Sequence, residues 1–279
     1  MHTISIIQAL PDTALPTGIR KINAPASSLA GRPAFEWEVE KIKAKEEKAL
    51  EDIQDMLNTC NKPFVAFSGG KDSTVLSHLV RKLMPDIPHV FYDYEGCNFP
   101  ETEEFLGRLE KEGVKLIRHK MPSLVEVYKA AGGIIQHNSR AQIANLRKRL
   151  IATPWREVLA KYGFDASFVG LRAGEAGGRL SLLQSRGKKY WHKKDKQWQF
   201  LPIGWWTSEQ VWMYIDTYQL DYNRLYDKLI RFGSREDARV STWTCAVKME
   251  AGTFSTLKSL HLEIYNQLSA EIPEVRNYV

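Results

Sequence analysis

The chain contains 279 residues, of which 43% are hydrophobic and 26% are charged, and its formal net charge is +6. This length suits one large domain or two small ones, and the composition is ordinary for a globular protein. A membrane-spanning helix is excluded, because no stretch approaches the roughly 20 consecutive apolar residues that such a helix needs. The first residues show neither a charged leader nor a clear cleavage site, so we expect a cytoplasmic protein that does not contact a membrane.

The first predicted elements precede any strand. Residues 1–34 are rich in Pro, Ala and Ser and lack a steady period, which predicts an extended arm. Such an arm can pack on the body of the protein or on a second copy, so a homodimer is one expectation. Residues 35–57 carry apolar side chains at helical spacing and predict one amphipathic helix.

From residue 63 onward, short apolar runs alternate with helical patterns. The patterns predict strands at 63–67, 89–92, 114–117 and 167–169, helices at 72–84 and 99–112, and a mainly helical stretch at 123–162. A hairpin with an extended segment is predicted at 186–203, and helices at 208–218 and 253–268. The alternation indicates an α/β fold, with a Rossmann-like, doubly wound, mainly parallel sheet and helical additions at both ends. We place the main domain at 35–235 and a helical extension at 236–279.

The most informative segment follows the first predicted strand and opens the next helix. It reads Ser68, Gly69, Gly70, Lys71, Asp72 and Ser73. A glycine pair lets the backbone approach a ligand closely, and a helix start offers free N–H groups and the positive end of the helix dipole. Such a turn favours an anion, most often a nucleotide phosphate. The serines add hydroxyl donors, Lys71 adds charge, and Asp72 can bind Mg²⁺; the alternative is a plain turn that caps a helix.

Two further segments are expected at the same edge of the sheet. Asp93 ends the second predicted strand, and Gly170, Leu171 and Arg172 follow the fourth. Ligands of doubly wound sheets bind at the carboxyl ends of the strands, near the switch in strand order. The loop at 68–73, Asp93 and the segment at 170–172 should therefore converge on one crevice.

The cysteines argue against a metal cluster. Cys60, Cys97 and Cys245 are widely separated in the chain. This spacing contains neither a disulfide framework nor a zinc-binding pair, and three cysteines cannot supply a four-cysteine iron–sulfur site. We therefore expect reduced, structural cysteines and no iron–sulfur cluster.

Several motifs resemble a known family. The loop at 68–73 resembles the PP-loop of the ATP pyrophosphatases, and other segments resemble the phosphoadenosine phosphosulfate (PAPS) reductase family of that superfamily. These segments are residues 91–93, 99–102, 170–172 with Glu175 and Arg179, 201–207, 211–215 and 220–227. Together with the loop they cover about residues 60–230. The resemblance implies a fold like that of the adenine nucleotide alpha hydrolases.

The resemblance also implies an activity. The enzyme would bind Mg-ATP, cleave it at the α-phosphate, adenylate an anionic or nucleophilic acceptor and release pyrophosphate. The residues that would bind the nucleotide are Ser68, Gly69, Gly70, Lys71, Asp72, Ser73, Asp93, Gly170, Arg172 and Arg179. The residues that would act in catalysis are Lys71, Asp72, Ser73 and Arg172, and Asp72 would also bind Mg²⁺. Arginine suits the anionic groups because its guanidinium fork can bind two phosphate oxygens at once.

The carboxyl-terminal region leaves the reaction open. Reductases of this family carry a nucleophilic cysteine in an "ECGxH"-like motif near the carboxyl terminus, and the tail of this chain has no such motif. Residues 235–275 look more like unassigned family members found in phages and mobile elements. One alternative is nevertheless a sulfonucleotide reductase, in which the loop holds PAPS or its unphosphorylated relative and Cys245 or an external thiol supplies electrons. Another is an adenylyltransferase that acts on sulfate.

A basic segment supports a last alternative. Residues 186–198 contain six Lys or Arg residues and one Asp, with interleaved aromatic residues at Tyr190, Trp191 and Trp198. Basic and aromatic residues together can bind nucleic acid, so a nucleotide-regulated nucleic-acid-binding protein is also considered. The competing interpretation is a solvated basic hairpin.

Overall fold

The computed structural model describes residues 36–94, 98–123, 125–126, 144, 148–233, 238, 240 and 253–279. The predicted arm at 1–34, most of the predicted helical stretch at 123–162, Cys97 and Cys245 lie outside these residues. In the part that is described, no helix is long and apolar enough to cross a membrane.

A six-stranded sheet forms the centre of the protein. Its strands are β1 (Pro63–Ala66), β2 (His89–Tyr94), β3 (Leu116–Met121), β4 (Ala166–Val169), β5 (Lys189–His192) and β6 (Gln197–Phe200). The strand order is β3-β2-β1-β4-β6-β5, and only β5, which pairs with β6, runs antiparallel to its neighbour. This arrangement confirms the predicted mainly parallel, Rossmann-like sheet and the predicted hairpin.

Helices flank the sheet. They are α1 (Glu36–Leu57), α2 (Lys71–Leu83), α3 (Pro100–Lys111), α4 (Thr153–Tyr162), α5 (Gly177–Arg186), α6 (Ser208–Thr217), α7 (Leu225–Leu229), α8 (Thr253–Leu260) and α9 (Leu262–Glu271). Because side chains alternate between the two faces of a strand, adjacent residues of β1 enter different cores. Val65 packs with the large core that includes α1, α2 and α6, whereas Phe64 packs with Val158 of α4.

The strand order reverses next to β1. Strands β2 and β3 extend the sheet from one edge of β1, whereas β4 pairs with the other edge of β1. Crossover connections that leave in opposite directions open a crevice at the carboxyl ends of β1 and β4. The loop at 68–73 and the segment at 170–172 follow these two strands directly, so the fold brings them together as expected.

The third strand differs from its prediction. Residues 114–117 were the expected strand, but β3 spans Leu116–Met121 and pairs with the whole of β2, from His89 opposite Leu116 to Tyr94 opposite Met121. The ladder with β2 supplies backbone hydrogen bonds to the polar residues 118–120, which have no strand pattern of their own. Pairing between distant segments, rather than local hydrophobicity, sets the bounds of this strand.

The carboxyl-terminal helix is also different. One helix was expected over 253–268, but α8 ends at Leu260 and α9 begins at Leu262. His261 between them leaves the helical conformation, with φ −143° and ψ 69°. Its Nε2 atom lies 3.1 Å from Oε2 of Glu101, a buried carboxylate in the first turn of α3. The tertiary contact with α3 therefore interrupts a segment whose local pattern is continuous.

The Glu101 contact predicts a pH dependence of stability. Burial acts to raise the pKa of Glu101, but the ion pair with Lys228 and the charge of His261 outweigh it and hold the pKa below 4.5. A carboxyl whose folded-state pKa is depressed stabilises the fold above its unfolded pKa and loses that contribution as the pH falls through the lowered value. We expect Glu101→Gln to lower the free energy of unfolding at pH 7 by about 1–3 kcal/mol and to flatten its decline below pH 4.5.

Urea unfolding between pH 3 and pH 7 would measure this effect. Glu104→Gln is the matched control, because Glu104 lies on the same helix and is exposed. An equal response of the two variants at every pH would contradict the assignment to Glu101.

Candidate nucleotide site

The turn between β1 and α2 depends on two glycines. Gly69 has φ +73°, a left-handed conformation that residues with a Cβ rarely adopt. Gly70 is the N-cap of α2, and a Cβ built on it would lie 3.3 Å from the Tyr226 hydroxyl. The Lys71 N–H donates to that same hydroxyl over 3.0 Å. The glycines thus let the chain turn sharply while the start of α2 packs against Tyr226.

The two serines hold the turn together. The Ser73 hydroxyl donates to the Gly70 carbonyl oxygen over 2.9 Å, and it lies 3.1 Å from the Ser68 hydroxyl. The Ser68 N–H donates to the same Ser73 oxygen over 3.3 Å. Ser73 is buried and Ser68 is exposed, so Ser68 is the hydroxyl that solvent or a ligand meets first.

Lys71 lies beneath the turn rather than on its surface. Its side chain is fully buried, and Nζ lies 3.5 Å from the Ala238 carbonyl oxygen and 3.5 Å from Oδ2 of Asp72. The ammonium group also sits 5.7 Å from the centre of the Tyr226 ring. From this position Lys71 offsets the charge of Asp72, and its predicted contact with phosphate stays a prediction.

Asp72 is held by two cations. Arg172, whose side chain is 2% exposed, donates from Nε to Oδ1 of Asp72 over 2.5 Å, while Lys71 faces the other carboxylate oxygen. Arg172 also donates from Nη1 to the Trp206 carbonyl oxygen over 3.3 Å. This ion pair fastens the first turn of α2 to the segment after β4.

The same geometry bears on the Mg²⁺ ion assigned to Asp72. Both carboxylate oxygens of Asp72 face cationic groups. Across the described ranges no cluster of three or more His, Cys, Asp or Glu side chains is suited to a metal. Mg²⁺ requires oxygen ligands in near-octahedral geometry. We therefore treat Asp72 as part of an ion pair, and the assignment of Mg²⁺ to it stays untested.

Gly170 brings the two walls of the site together. A Cβ built on this residue would lie 3.1 Å from the Asp72 carbonyl carbon and 3.2 Å from the Ser73 nitrogen. Contacts this short with helix backbone mean that a side chain here would require the start of the helix to shift by a few tenths of an ångström. Glycine at this position therefore lets the segment after β4 rest directly on the start of α2.

These elements enclose a cavity of about 440 Å³. This volume lies in the range of small-molecule sites. Its lining consists of Ala66, Phe67, Ser68, Gly70, Asp72, Ser73, Tyr92, Val169, Gly170, Leu171, Glu175, Ala176, Arg179, Tyr226 and Val240. Of the predicted site residues, the structure thus brings six to the cavity wall and places Gly69, Lys71 and Arg172 directly behind it.

Asp93 does not line the cavity. Strand β2 continues to Tyr94, and Asp93 accepts a hydrogen bond from Asn98 Nδ2 over 2.9 Å. Its neighbour Tyr92, on the opposite face of the strand, lines the cavity and stacks on Trp155 with 6.3 Å between ring centres. Burial raises the pKa of the Tyr92 hydroxyl above its ordinary value, so it is neutral near pH 7. The nucleotide contact predicted for Asp93 stays untested.

Sequence reasoning missed Tyr92 and Tyr226 as site residues. The signal for Tyr92 was the two-residue alternation of β2, which sends residues 92 and 93 to opposite faces once the strand extends beyond 92. Tyr226 lies in the segment 220–227 that resembles the family, but that segment alone does not show that α7 packs under the turn.

Arg179 is the one cationic side chain among the described residues of the cavity wall. It lies in the first turn of α5, is 39% exposed and forms an ion pair with Glu175. An exposed, paired guanidinium can exchange its partner for an anionic ligand at small cost, because surface ion pairs contribute only about 0–1 kcal/mol. The position agrees with the predicted phosphate-binding role, which stays a prediction.

We expect Arg179→Met to weaken nucleotide binding about tenfold, because one charge-assisted hydrogen bond to an anion contributes about 1.5–3 kcal/mol. The free energy of unfolding should stay within about 0.5 kcal/mol, since the side chain is partly exposed. Calorimetric titration and urea unfolding would measure the two quantities. Arg186→Met, in the last turn of the same helix and outside this cavity, is the control and should bind nucleotide normally.

Comparison with known proteins assigns this chain to a family. Residues 62–238 match the family described as "Phosphoadenosine phosphosulfate reductase domain". The chain is 30% identical over 206 residues to an adenosine 5'-phosphosulfate reductase of Halalkalibacterium halodurans, covering 69% of this chain and 84% of the relative. It is 29% identical over 204 residues to a phosphoadenosine 5'-phosphosulfate reductase of Xanthomonas oryzae pv. oryzae, covering 68% and 76%.

The fold agrees with these matches. A crystal structure of the phosphoadenylyl-sulfate (PAPS) reductase from Candida auris, a phosphate complex, superimposes with a TM-score of 0.51 at 17% identity and covers 68% of this chain and 91% of that one. The matched residues include every strand of the sheet and all of the cavity lining except Val240. The chain therefore belongs to the phosphoadenosine phosphosulfate reductase domain family, and it is an enzyme whose fold agrees with that of the reductase from Candida auris.

Proposed function

We propose that this protein is a sulfonucleotide reductase, which binds an adenosine phosphosulfate in the cavity between the loop at 68–73 and the segment at 170–179. The observation that carries the proposal is this cavity, which opens at the amino-terminal end of α2. All of its lining residues except Val240 lie within residues 62–238, which match the reductase domain family, and curated reductases of two related sulfonucleotides are relatives of the chain.

The cavity offers groups of two kinds. The start of α2, the Ser68 hydroxyl and Arg179 supply the positive potential and hydrogen-bond donors that phosphate and sulfate oxygens need. Ala66, Val169, Leu171 and the Tyr92 ring supply apolar surface. A nucleotide needs both kinds, because it carries charged groups and a flat base.

A chain of ion pairs at and behind the cavity wall fixes the relative positions of the two walls. Arg172, Asp72 and Lys71 form a chain of ion pairs that joins the start of α2 to the segment after β4. In the proposed enzyme this chain positions the phosphate-binding backbone before the ligand arrives. Preorganised donors stabilise charge that develops in the transition state without reorganisation at that moment.

The reaction needs a thiol. A thiolate attacks the sulfur of the bound sulfonucleotide, an S–S bond forms, and the bond from sulfur to the bridging oxygen breaks. The nucleotide leaves with that electron pair as its phosphate, and a second thiol then releases sulfite and leaves a disulfide. Cys245 or an external thiol is the proposed nucleophile.

Cys60 does not suit this role. It lies beyond the end of α1 and away from the cavity wall. Burial and, to a lesser degree, the charge of Asp165 raise its pKa to about 11. A thiol with such a pKa is protonated near pH 7, and the protonated form is a poor nucleophile.

Sulfite release from PAPS and from adenosine phosphosulfate, with a small dithiol as reductant, tests the proposal. Cys245→Ser should abolish release if Cys245 is the nucleophile, and Cys60→Ser should leave it unchanged. Sulfite release that survives both substitutions would assign the attack to the external thiol. No sulfite from either nucleotide, although both bind, would contradict the reductase.

Cleavage of ATP at the α-phosphate is the second candidate. The observation that favours it is the loop, whose residues Ser68, Gly70 and Ser73 face the cavity at a helix start and suit a chain of phosphates. The acceptor would be adenylated and pyrophosphate would leave. Magnesium would bind mainly to the nucleotide phosphates and to water, since the described residues form no cluster of three or more metal-binding side chains.

Titration with ATP plus Mg²⁺ and, separately, with PAPS distinguishes the two candidates. Tighter binding of PAPS supports the reductase. Tighter binding of ATP, with pyrophosphate release when sulfate or another acceptor is added, supports nucleotidyl transfer instead. In either case Ser73→Ala and Asp72→Asn should lose turnover, and Lys71→Ala should also weaken binding.

A further inference from the structure

A second concave surface lies at the outer edge of the sheet, on the β5–β6 hairpin. It is a groove of about 490 Å³, lined by Arg186, Tyr190, Trp191, His192, Lys193 and Lys194. None of these residues lines the nucleotide cavity. We refer to this surface as the hairpin groove.

The hairpin groove keeps an excess of positive charge. Lys188 pairs with Asp52 and Lys189 with Asp55, both on α1. The single carboxylate of the hairpin, Asp195, is engaged by Arg156 and His192. Four cations in or beside the groove have no carboxylate partner in the part of the chain that the structure describes: Arg186, Lys193 and Lys194 line the groove, and Lys196 lies in the turn between β5 and β6. Cations that are not neutralised within the protein attract a ligand with several negative charges.

An aromatic ring stands among these cations. Trp191 is 44% exposed, and its ring meets Trp198 edge to face with 5.5 Å between centres. Trp198 in turn stacks on the buried ring of Phe200 at an angle of 16°. The row of rings holds Trp191 in place while leaving part of its surface open to solvent. A large apolar ring that is fixed and exposed within a basic groove suits a flat ligand group.

We propose that the hairpin groove binds single-stranded nucleic acid, with its phosphates on the four unpaired cations and a base stacked on Trp191. Stacking on aromatic side chains beside a basic groove is the usual way in which proteins bind single strands without sequence preference. The bases of a duplex are stacked on one another, so a duplex could contact the cations but could not stack a base on Trp191. An acidic peptide likewise lacks the series of flat rings.

This inference does not depend on the reaction proposed for the cavity. The two surfaces are nevertheless connected, because the N-cap of α5, Ala176, lines the cavity, and the helix ends at Arg186 in the hairpin groove. Ten residues of helix span about 15 Å. A strand bound to the hairpin would therefore lie within a few nucleotides' length of the cavity.

Fluorescence anisotropy of a labelled 20-nucleotide thymidine strand, titrated with the full chain at 50–300 mM NaCl, tests the proposal. Binding should weaken with salt, because each neutralised phosphate of a single strand adds about −0.7 to the slope of log K against log salt. A duplex of equal length should bind more weakly, and a polyglutamate chain should not compete.

Two variants separate the roles of charge and stacking. The triple variant Lys193→Gln, Lys194→Gln and Lys196→Gln should reduce the magnitude of the salt slope by about 2. Trp191→Ala should weaken binding about tenfold at each salt concentration without changing the slope, and Trp191→Phe should restore part of the loss. The matched control replaces Lys111, Lys115 and Lys120, which are exposed near β3 at the opposite edge of the sheet, with Gln.

Four results would overturn the inference. Absence of binding at 50 mM NaCl would remove the strand as a ligand. Equal losses in the hairpin triple variant and the control triple variant would show that the overall charge, not the groove, binds the strand. Tighter binding of the duplex, or competition by polyglutamate, would assign the surface to a different class of partner.

Discussion

Arg172→Met is expected to lower the free energy of unfolding by about 3 kcal/mol. The substitution removes a nearly buried guanidinium from Asp72 and leaves that carboxylate with only Lys71, 3.5 Å away. It also frees the first turn of α2 from the segment after β4, so nucleotide affinity should fall at least tenfold. Urea unfolding and calorimetric titration with PAPS would measure the two losses.

A double-mutant cycle isolates the ion pair. If Asp72→Asn is added to Arg172→Met, the uncompensated charge disappears, and the double variant should be more stable than Arg172→Met alone. Arg172→Lys keeps a positive charge at the site, and it replaces Arg172→Met as the test variant if the methionine variant does not fold. An unfolding free energy of Arg172→Met within about 1 kcal/mol of the parent would contradict the role assigned to this pair.

Gly170→Ala is expected to disrupt the site by steric overlap, without any change of charge. The added methyl group would lie 3.1 Å from the Asp72 carbonyl carbon and 3.2 Å from the Ser73 nitrogen, and both are backbone atoms of α2. Overpacking of this kind costs about 1–3 kcal/mol, and relief requires the start of the helix to shift. We expect this loss of stability together with at least a tenfold loss of nucleotide affinity.

The control for this substitution is Gly174→Ala. A Cβ on Gly174 would meet no atom within 4 Å, although the residue lies in the same segment. It should therefore leave both stability and nucleotide affinity almost unchanged. If Gly170→Ala behaves like Gly174→Ala, the close approach of the two walls does not govern binding.

Arg172→Met and Gly170→Ala both change the junction between the two walls of the site. The residues with the strongest mutual contacts, Arg172, Asp72 and Gly170, join the start of α2 to the segment after β4. The groups with access to a ligand, Ser68 and Arg179, lie around this junction. Substitutions in the junction should change stability and binding together, whereas Arg179→Met should change binding alone.

The sequence by itself determined the class of fold and the position of the site. Alternating strand and helix patterns, and a glycine turn at 68–73, follow from local preferences and from spacing, which any segment carries without knowledge of its neighbours. The rule that ligands bind where the strand order reverses then joined this turn to Gly170 and Arg172. The β5–β6 hairpin was also evident from its pattern.

Only the tertiary structure decided which groups meet. The ladder with β2 set the bounds of β3, and the extension of β2 placed Tyr92 on the cavity and Asp93 against Asn98. Packing of α7 put Tyr226 under the turn, and the Glu101 contact interrupted the last helices at His261. The side chain of Lys71 is buried, and its ammonium group faces the Asp72 carboxylate. Each of these arrangements depends on residues that are far apart in the chain, so a local sequence pattern does not predict it.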